Sequence, residues 1–149
     1  MKTLKRILLV EDNLKDVDLT LAALADHNLA NEVVVARDGA EALDYLYARG
    51  AFAGRDPGPP AVMLLDIKMP KVNGLEVLRA IKSDPALRTL PVVMLTSSRE
   101  EPDLAESYSL GANAYVVKPV DFLQFVEAVK QLGVFWAVLN EPPPGTAHR

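Results

Sequence analysis

The sequence contains no cysteine, which removes disulfides, thiolate metal sites and cysteine nucleophiles together. Histidine is almost as scarce. His27 comes late in the first helical pattern and His148 sits in the C-terminal stretch, so both read as surface residues and neither supplies an imidazole ligand or phosphoryl carrier. Long hydrophobic runs are missing too. The opening Met1-Lys2-Thr3-Leu4-Lys5-Arg6 has the charge of a signal-peptide start, but the apolar stretch behind it, Ile7 to Val10, gives way at once to Glu11-Asp12-Asn13. That is too short for a secretory core or a membrane span. Basic charge is unclustered: 16 Lys plus Arg stand against 20 Asp plus Glu, a net charge of −4, and no block of the kind that grips nucleic acid is present. What is there, 149 residues of which 50% are hydrophobic and 24% charged, is the composition of one soluble domain with enough chain to bury a core. The expected compartment is the cytoplasm.

Five short apolar runs recur along the chain: Ile7 to Val10, Val33 to Val35, Val62 to Leu65, Val92 to Leu95 and Ala114 to Val117. They do not alternate, as expected of strands buried on both faces of a parallel sheet. Between them the apolar residues fall at helical spacing. The series are Leu14, Val17, Leu21 and Leu24; Ala40, Leu43 and Tyr47; Leu75, Leu78 and Ile81; Leu104 and Tyr108; and Phe122, Phe125, Val126, Val129, Leu132 and Trp136. Punctuation agrees. Asn13 suits a helix N-cap, Asp121 with Gln124 resembles a capping box, Pro102 suits a first helical turn and Asp84-Pro85 ends the third helix. The stretch Arg49 to Pro60, with three Gly and three Pro, predicts a long loop, and Pro142-Pro143-Pro144-Gly145 predicts a frayed tail. Five β-α units with right-handed crossovers make a doubly wound three-layer α/β sandwich. The folded unit is expected over residues 1–140 and a disordered tail over 141–149.

Ligands of an open parallel sheet bind beyond the carboxyl ends of its strands. Here the first strand runs into Glu11-Asp12, the third into Asp66, the fourth into Thr96-Ser97 and the fifth into Lys118. Any one of these is an ordinary loop residue or cap; four strand ends together put three carboxylates, two hydroxyls and an ammonium on one rim. Two carboxylates about 5 to 6 Å apart repel by roughly 3 kcal/mol at an effective dielectric of about 20, so three together call for a cation. Lys118 offsets one charge. The rest suits a hard divalent ion such as Mg²⁺ with oxygen ligands. A carboxylate beside such an ion, with a hydroxyl and an ammonium opposite, is a nucleophile arranged for phosphoryl transfer. Asp66, at the end of the expected central strand, is the candidate.

The motifs Glu11-Asp12-Asn13, Leu64-Leu65-Asp66-Ile67-Lys68-Met69-Pro70 with Gly74, Leu95-Thr96-Ser97-Ser98, Gly111-Ala112-Asn113-Ala114-Tyr115 and Val117-Lys118-Pro119 together resemble a response regulator receiver domain. The resemblance spans about residues 5 to 132. It implies a flavodoxin-like sheet of strand order 2-1-3-4-5 with five helices, and phosphorylation of Asp66 by a sensor histidine kinase. It also implies Mg²⁺ on Asp12, Asp66 and the Lys68 backbone carbonyl, with Glu11 acting through water. Lys118, Thr96 and Ser97 would bind the phosphoryl group, Thr96 and Tyr115 would form the switch, and the Lys118-Pro119 bond would be cis. Lys68 beside the acceptor and Ser98 after the Thr-Ser pair depart from common receiver patterns, at sites that tune the lifetime of the phosphoryl group.

The Pro/Gly-rich loop before the third strand, the Met69 to Gly74 turn and the Phe135-Trp136 ending are similar to single-domain regulators that partner phytochrome-type kinases. Output is then expected through a downstream protein partner, without nucleic acid or membrane. Val134, Phe135, Trp136, Val138 and Leu139 put apolar groups all round the last turns of the fifth helix, and Phe135 with Trp136 predicts a homodimer surface. Two other chemistries share parts of this pattern. A dehalogenase-like phosphatase needs a second Asp two residues after the first, where this chain has Lys68. A Rossmann oxidoreductase needs a Gly-rich turn after the first strand, which is absent. A receiver-like scaffold that is never phosphorylated is the remaining alternative.

Overall fold

The computed structural model describes residues 6–25, 32–55, 58–69, 72–97, 102–112 and 114–133. Strands β1 (Ile7–Val10), β2 (Val33–Ala36), β3 (Val62–Asp66), β4 (Val92–Thr96) and β5 (Ala114–Val117) alternate with helices α1 (Leu14–Ala25), α2 (Gly39–Leu46), α3 (Gly74–Ser83), α4 (Pro102–Ser109) and α5 (Phe122–Gln131). The sheet order is β2-β1-β3-β4-β5, with every neighbouring pair parallel. This is the flavodoxin-like arrangement expected from the sequence.

The non-alternating runs are explained by two separate cores. Leu8, Val10, Met63, Leu65 and Met94 point to the face covered by Tyr45, Leu46, Leu78, Ile81 and Leu104 of α2, α3 and α4. Ile7, Leu9, Leu64, Val93 and Leu95 point to the other, where Val17 and Leu24 of α1 meet Phe125 and Val129 of α5. Successive side chains of a strand go to opposite faces. When both faces are covered, every position is apolar, and β1, β3 and β4 are buried along their whole length.

Several boundaries differ from the sequence reading. β2, β3 and β4 each run one residue further, through Ala36, Asp66 and Thr96, because the ladder pairs Asp66 with Leu95 and Thr96 with Val117. Among its described residues the long loop contains a 3₁₀ turn at Gly50–Phe52. It is fastened by Arg55, whose guanidinium donates to Tyr45 O at 2.6 Å and Gly58 O at 2.9 Å and lies 4.2 Å over the Tyr45 ring. The reciprocal capping box is at Asn73 and Glu76 of α3. At α5, Asp121 does accept from the Gln124 N–H at 2.8 Å, but the box is not closed reciprocally: the Gln124 amide oxygen accepts from the Val117 N–H, and its NH₂ donates to Val117 O and to Asp121 Oδ2.

Helix α5 closes at Gln131, with Leu132 as its cap and Gly133 at φ 75°. A left-handed glycine ends an α-helix, so the expectation of one helix continuing through Trp136 is corrected. Phe135, Trp136, residues 141–149, His27, His148, Pro70, Ser98 and Asn113 lie outside the described residues.

Candidate functional site

The register of the central strands brings the rim together. Val10 pairs with Leu65, so the next step of the two strands sets Glu11 beside Asp66. Asp66 pairs with Leu95, and the Lys118 N–H donates to Thr96 O at 2.7 Å. The Lys118-Pro119 bond is cis, as expected. One carboxylate oxygen each of Glu11, Asp12 and Asp66 lies within 4.8 Å of the others, although only Asp12 is appreciably exposed. Gly74, which opens α3, explains how that helix packs so near the acceptor: a Cβ there would collide with the Asp66 carbonyl oxygen.

Lys118 is the counter-charge. Its Nζ lies 3.2 Å from Glu11 Oε1, 3.1 Å from Asp16 Oδ2 and 3.3 Å from Asp66 Oδ1. Burial first, and then the Asp66 charge, push the Glu11 carboxyl up to about 7, with Lys118 acting against the shift. Burial likewise raises the Asp66 carboxyl, again opposed by Lys118. Burial alone would lower the Lys118 ammonium, but the Asp66 and Glu11 charges outweigh it and hold the group above its ordinary value. The site is short of positive charge even with Lys118 in place. Its donors are all carboxylate oxygens, which fits a hard divalent ion and not one that prefers imidazole or thiolate.

Beside these charges is a cavity of about 110 Å³ lined by Asp66, Ile67, Lys68, Leu95, Thr96, Ser97 and Lys118. A water molecule's share of liquid is about 30 Å³, so the space takes a group of several heavy atoms. Thr96 is buried and Ser97 exposed at its wall, and the Lys68 side chain is exposed. Tyr115 does not line it. Its ring stands edge-to-face with Tyr108 of α4 at 6.2 Å, in a second and larger cavity of about 430 Å³ between α4, β5 and α5. Glu11, Asp12, Asp66, Thr96, Ser97 and Lys118 are all at the rim, while Tyr115 lies within β5, three residues before Lys118.

Asp16 was not anticipated. An acid in the first turn of α1 suits the helix dipole without any tertiary partner, so nothing local singles it out. Asn13 Oδ1 does accept from the Asp16 N–H at 3.0 Å.

Residues 7–130 match the response regulator receiver domain family. The chain belongs to that family. It is 36% identical over 132 residues to the response regulator Rcp1 of Synechocystis, covering 89% of this chain and 88% of that one, and a crystal structure of Rcp1 in an Mn²⁺-bound form superposes with a TM-score of 0.71, at 33% identity over 97% of this chain and 99% of that one. The bacteriophytochrome response regulator AtBRR is 64% identical, with a TM-score of 0.87 over 94% of this chain and 100% of its own. The phosphorylated cyanobacterial phytochrome response regulator RcpA is 43% identical, with a TM-score of 0.72 over 90% of this chain and 94% of its own. The receiver is thus a phosphoacceptor signalling domain homologous to phytochrome-associated regulators. Receivers as a family work with histidine kinases and bind Mg²⁺ at an acidic pocket, which sets aside the phosphatase reading. Among the described residues no helix is long and apolar enough to cross a membrane.

Proposed function

We propose that this receiver takes a phosphoryl group on Asp66 from a phytochrome-type histidine kinase in the cytoplasm and thereby changes what its α4, β5 and α5 surface binds. The observation that carries the reading is the place of Asp66, at the end of the central strand, facing a cavity of about 110 Å³ with Lys118 Nζ 3.3 Å from Oδ1. An Asp66 carboxylate oxygen attacks the phosphorus of a phosphohistidine in line. A P–O bond forms as the P–N bond breaks, and the imidazole leaves with the electron pair. Lys118 donates to a phosphoryl oxygen, and the Thr96 and Ser97 hydroxyls complete the binding. Asp12, Asp66 and the Lys68 carbonyl would hold Mg²⁺, with Glu11 linked through water. When bound, the ion neutralises charge on the phosphoryl oxygens.

Phosphorylation adds about −1.5 to −2 charge and three acceptor oxygens. Thr96, one strand away and 1% exposed, meets them only by turning its hydroxyl. Tyr115 stands on the adjacent strand and lines the larger cavity with Tyr108, Leu123 and Gln124, so it is the residue through which movement of Thr96 reaches the surface. The phytochrome-type kinase is supported by the likeness to AtBRR and RcpA.

Incubation with acetyl phosphate and Mg²⁺, followed by intact-mass measurement, should give one covalent phosphoryl adduct that is lost in Asp66→Asn. Steady phosphate release without an adduct would return the phosphatase reading, and no reaction would make the domain a scaffold. Thr96→Ala should still accept the group while the change in partner affinity is blunted. Phosphotransfer from a phytochrome-type kinase should outpace that from unrelated kinases.

A further inference from the structure

The Asp16–Lys118 contact is the shortest that the Lys118 ammonium makes to a carboxylate, at 3.1 Å, and nothing in the phosphoacceptor reading uses it. An ammonium has three N–H donors and no acceptor. In this unphosphorylated state three carboxylates, those of Glu11, Asp16 and Asp66, stand within 3.3 Å of Nζ. On phosphorylation Asp66 ceases to be a carboxylate, and the phosphoryl group it then carries shares the Lys118 ammonium with Glu11 and Asp16.

The three are not equivalent. The side chains of Glu11 and Asp66 are 0% and 5% exposed, while that of Asp16 is 27% exposed. Leaving a buried carboxylate unpaired is costly, whereas a partly exposed one is rehydrated by a small movement of its side chain. Of the two carboxylates that remain, Glu11 and Asp16, Asp16 is therefore the partner that gives way. Its position is built for reaching outward. As the third residue after the N-cap Asn13 it could fold back to the Asn13 N–H and close a capping box, but that N–H donates to Glu11 Oε2 at 3.3 Å, and the Asp16 carboxylate bridges from α1 to the end of β5 instead.

We propose that Asp16 is a positioning residue that holds the Lys118 ammonium on the α1 side of the site and competes with the phosphoryl group for it. The proposal rests on Asp66 being the acceptor. Asp16 then lowers the phosphoryl affinity of the site and shortens the life of the modified state, since the phosphoryl group must share the ammonium with Asp16, a carboxylate that faces the new anion. In the resting state the same pair keeps Lys118 from drifting out of the site.

The test is titration of the full chain, at saturating Mg²⁺, with beryllofluoride as a phosphoryl mimic, for the wild type, Asp16→Asn, Asp16→Ser, Asp16→Glu and Asp18→Asn. Both neutral replacements of Asp16 should bind the mimic roughly two- to fivefold more tightly, the range open to a partly screened ion pair, and should lose acetyl-phosphate-derived phosphate more slowly. Asp16→Glu should stay near the wild type. Asp18→Asn, the same loss of charge at an exposed position on the same helix, should leave the affinity unchanged, which separates competition for Lys118 from a general change of net charge. Unchanged or weaker binding in Asp16→Asn and Asp16→Ser, with the folded state verified by circular dichroism, would overturn the proposal and leave Asp16 as a staple between α1 and β5. A wild type that binds no beryllofluoride and accepts no phosphate would instead remove the acceptor reading itself.

Discussion

The Lys118 ammonium lies 3.2 Å from Oε1 of Glu11, joining the ends of β5 and β1, two strands that β3 and β4 separate in the sheet. The pair closes the rim over Asp66 from both sides. It also shows why the acidic cluster is tolerable: Glu11 is fully buried, and the ammonium is the charge that keeps it from standing alone against Asp66.

Crowded carboxylates store repulsion that a neutral replacement releases. Asp12 raises the Asp66 carboxyl by its charge, so Asp12→Asn should stabilise the metal-free protein by about 1 kcal/mol, or on the order of 3 °C in melting temperature. The same variant should bind Mg²⁺ more weakly. Calorimetry with and without Mg²⁺ measures both, and a lower metal-free melting temperature would mean that Asp12 has a favourable partner.

Stability without metal should depend on pH through Glu11. Its carboxyl is raised from 4.5 to about 7, by burial and then by Asp66. A carboxyl raised in the folded state binds its proton more tightly folded than unfolded. Its contribution to stability is therefore complete below its unfolded value and is lost as the pH rises through the folded one. The metal-free melting temperature should fall between about pH 5 and pH 8. Glu11→Gln should flatten that slope; a wild-type slope in the variant would place the sensitive group elsewhere.

Gly74 is held by a close approach and not by an unusual backbone angle. A methyl group there meets the Asp66 carbonyl oxygen and the Ile67 backbone, so Gly74→Ala should cost about 1 to 3 kcal/mol as α3 is pushed off the sheet. Because the displaced backbone carries the acceptor, phosphorylation by acetyl phosphate should slow as well. Denaturant unfolding beside an adduct time course checks both, and normal phosphorylation in a destabilised variant would show that the loop absorbs the shift.

Self-association is proposed for Phe135 and Trp136, which follow Gly133 in the sequence. Leu123 of α5, at 77% exposure, is an exposed apolar group on that helix. Phe135→Ala with Trp136→Ala should lower the mass seen by sedimentation while leaving phosphorylation of Asp66 intact. A wild type that stays monomeric at high concentration, with or without phosphate, would remove the dimer.

Much of the site was legible because strand ends are. A buried strand is an apolar run, and the first polar residue after it marks where the chain leaves the sheet. That logic places Glu11, Asp66, Thr96 and Lys118 at the carboxyl edge of the sheet. Helix ends were legible where one residue decides the cap, as at Asn13 and Pro102. They were not where a side chain has two bonding choices: the Gln124 oxygen could accept from the Asp121 N–H and close a box or accept from the Val117 N–H, and it is the packing of α5 against β5 that selects Val117.

The order of strands and helices, the two-faced burial of the sheet and the residues at its carboxyl edge follow from the sequence alone, because periodicity and polarity act over a few residues. The partners of Lys118 do not. Asp16 is 102 residues away along the chain, and its local context, an acid in a first helical turn, describes a helix dipole. Only the docking of α1 beside the end of β5 makes it the third carboxylate on one ammonium, since charge at long sequence separation acquires its meaning from distance in space.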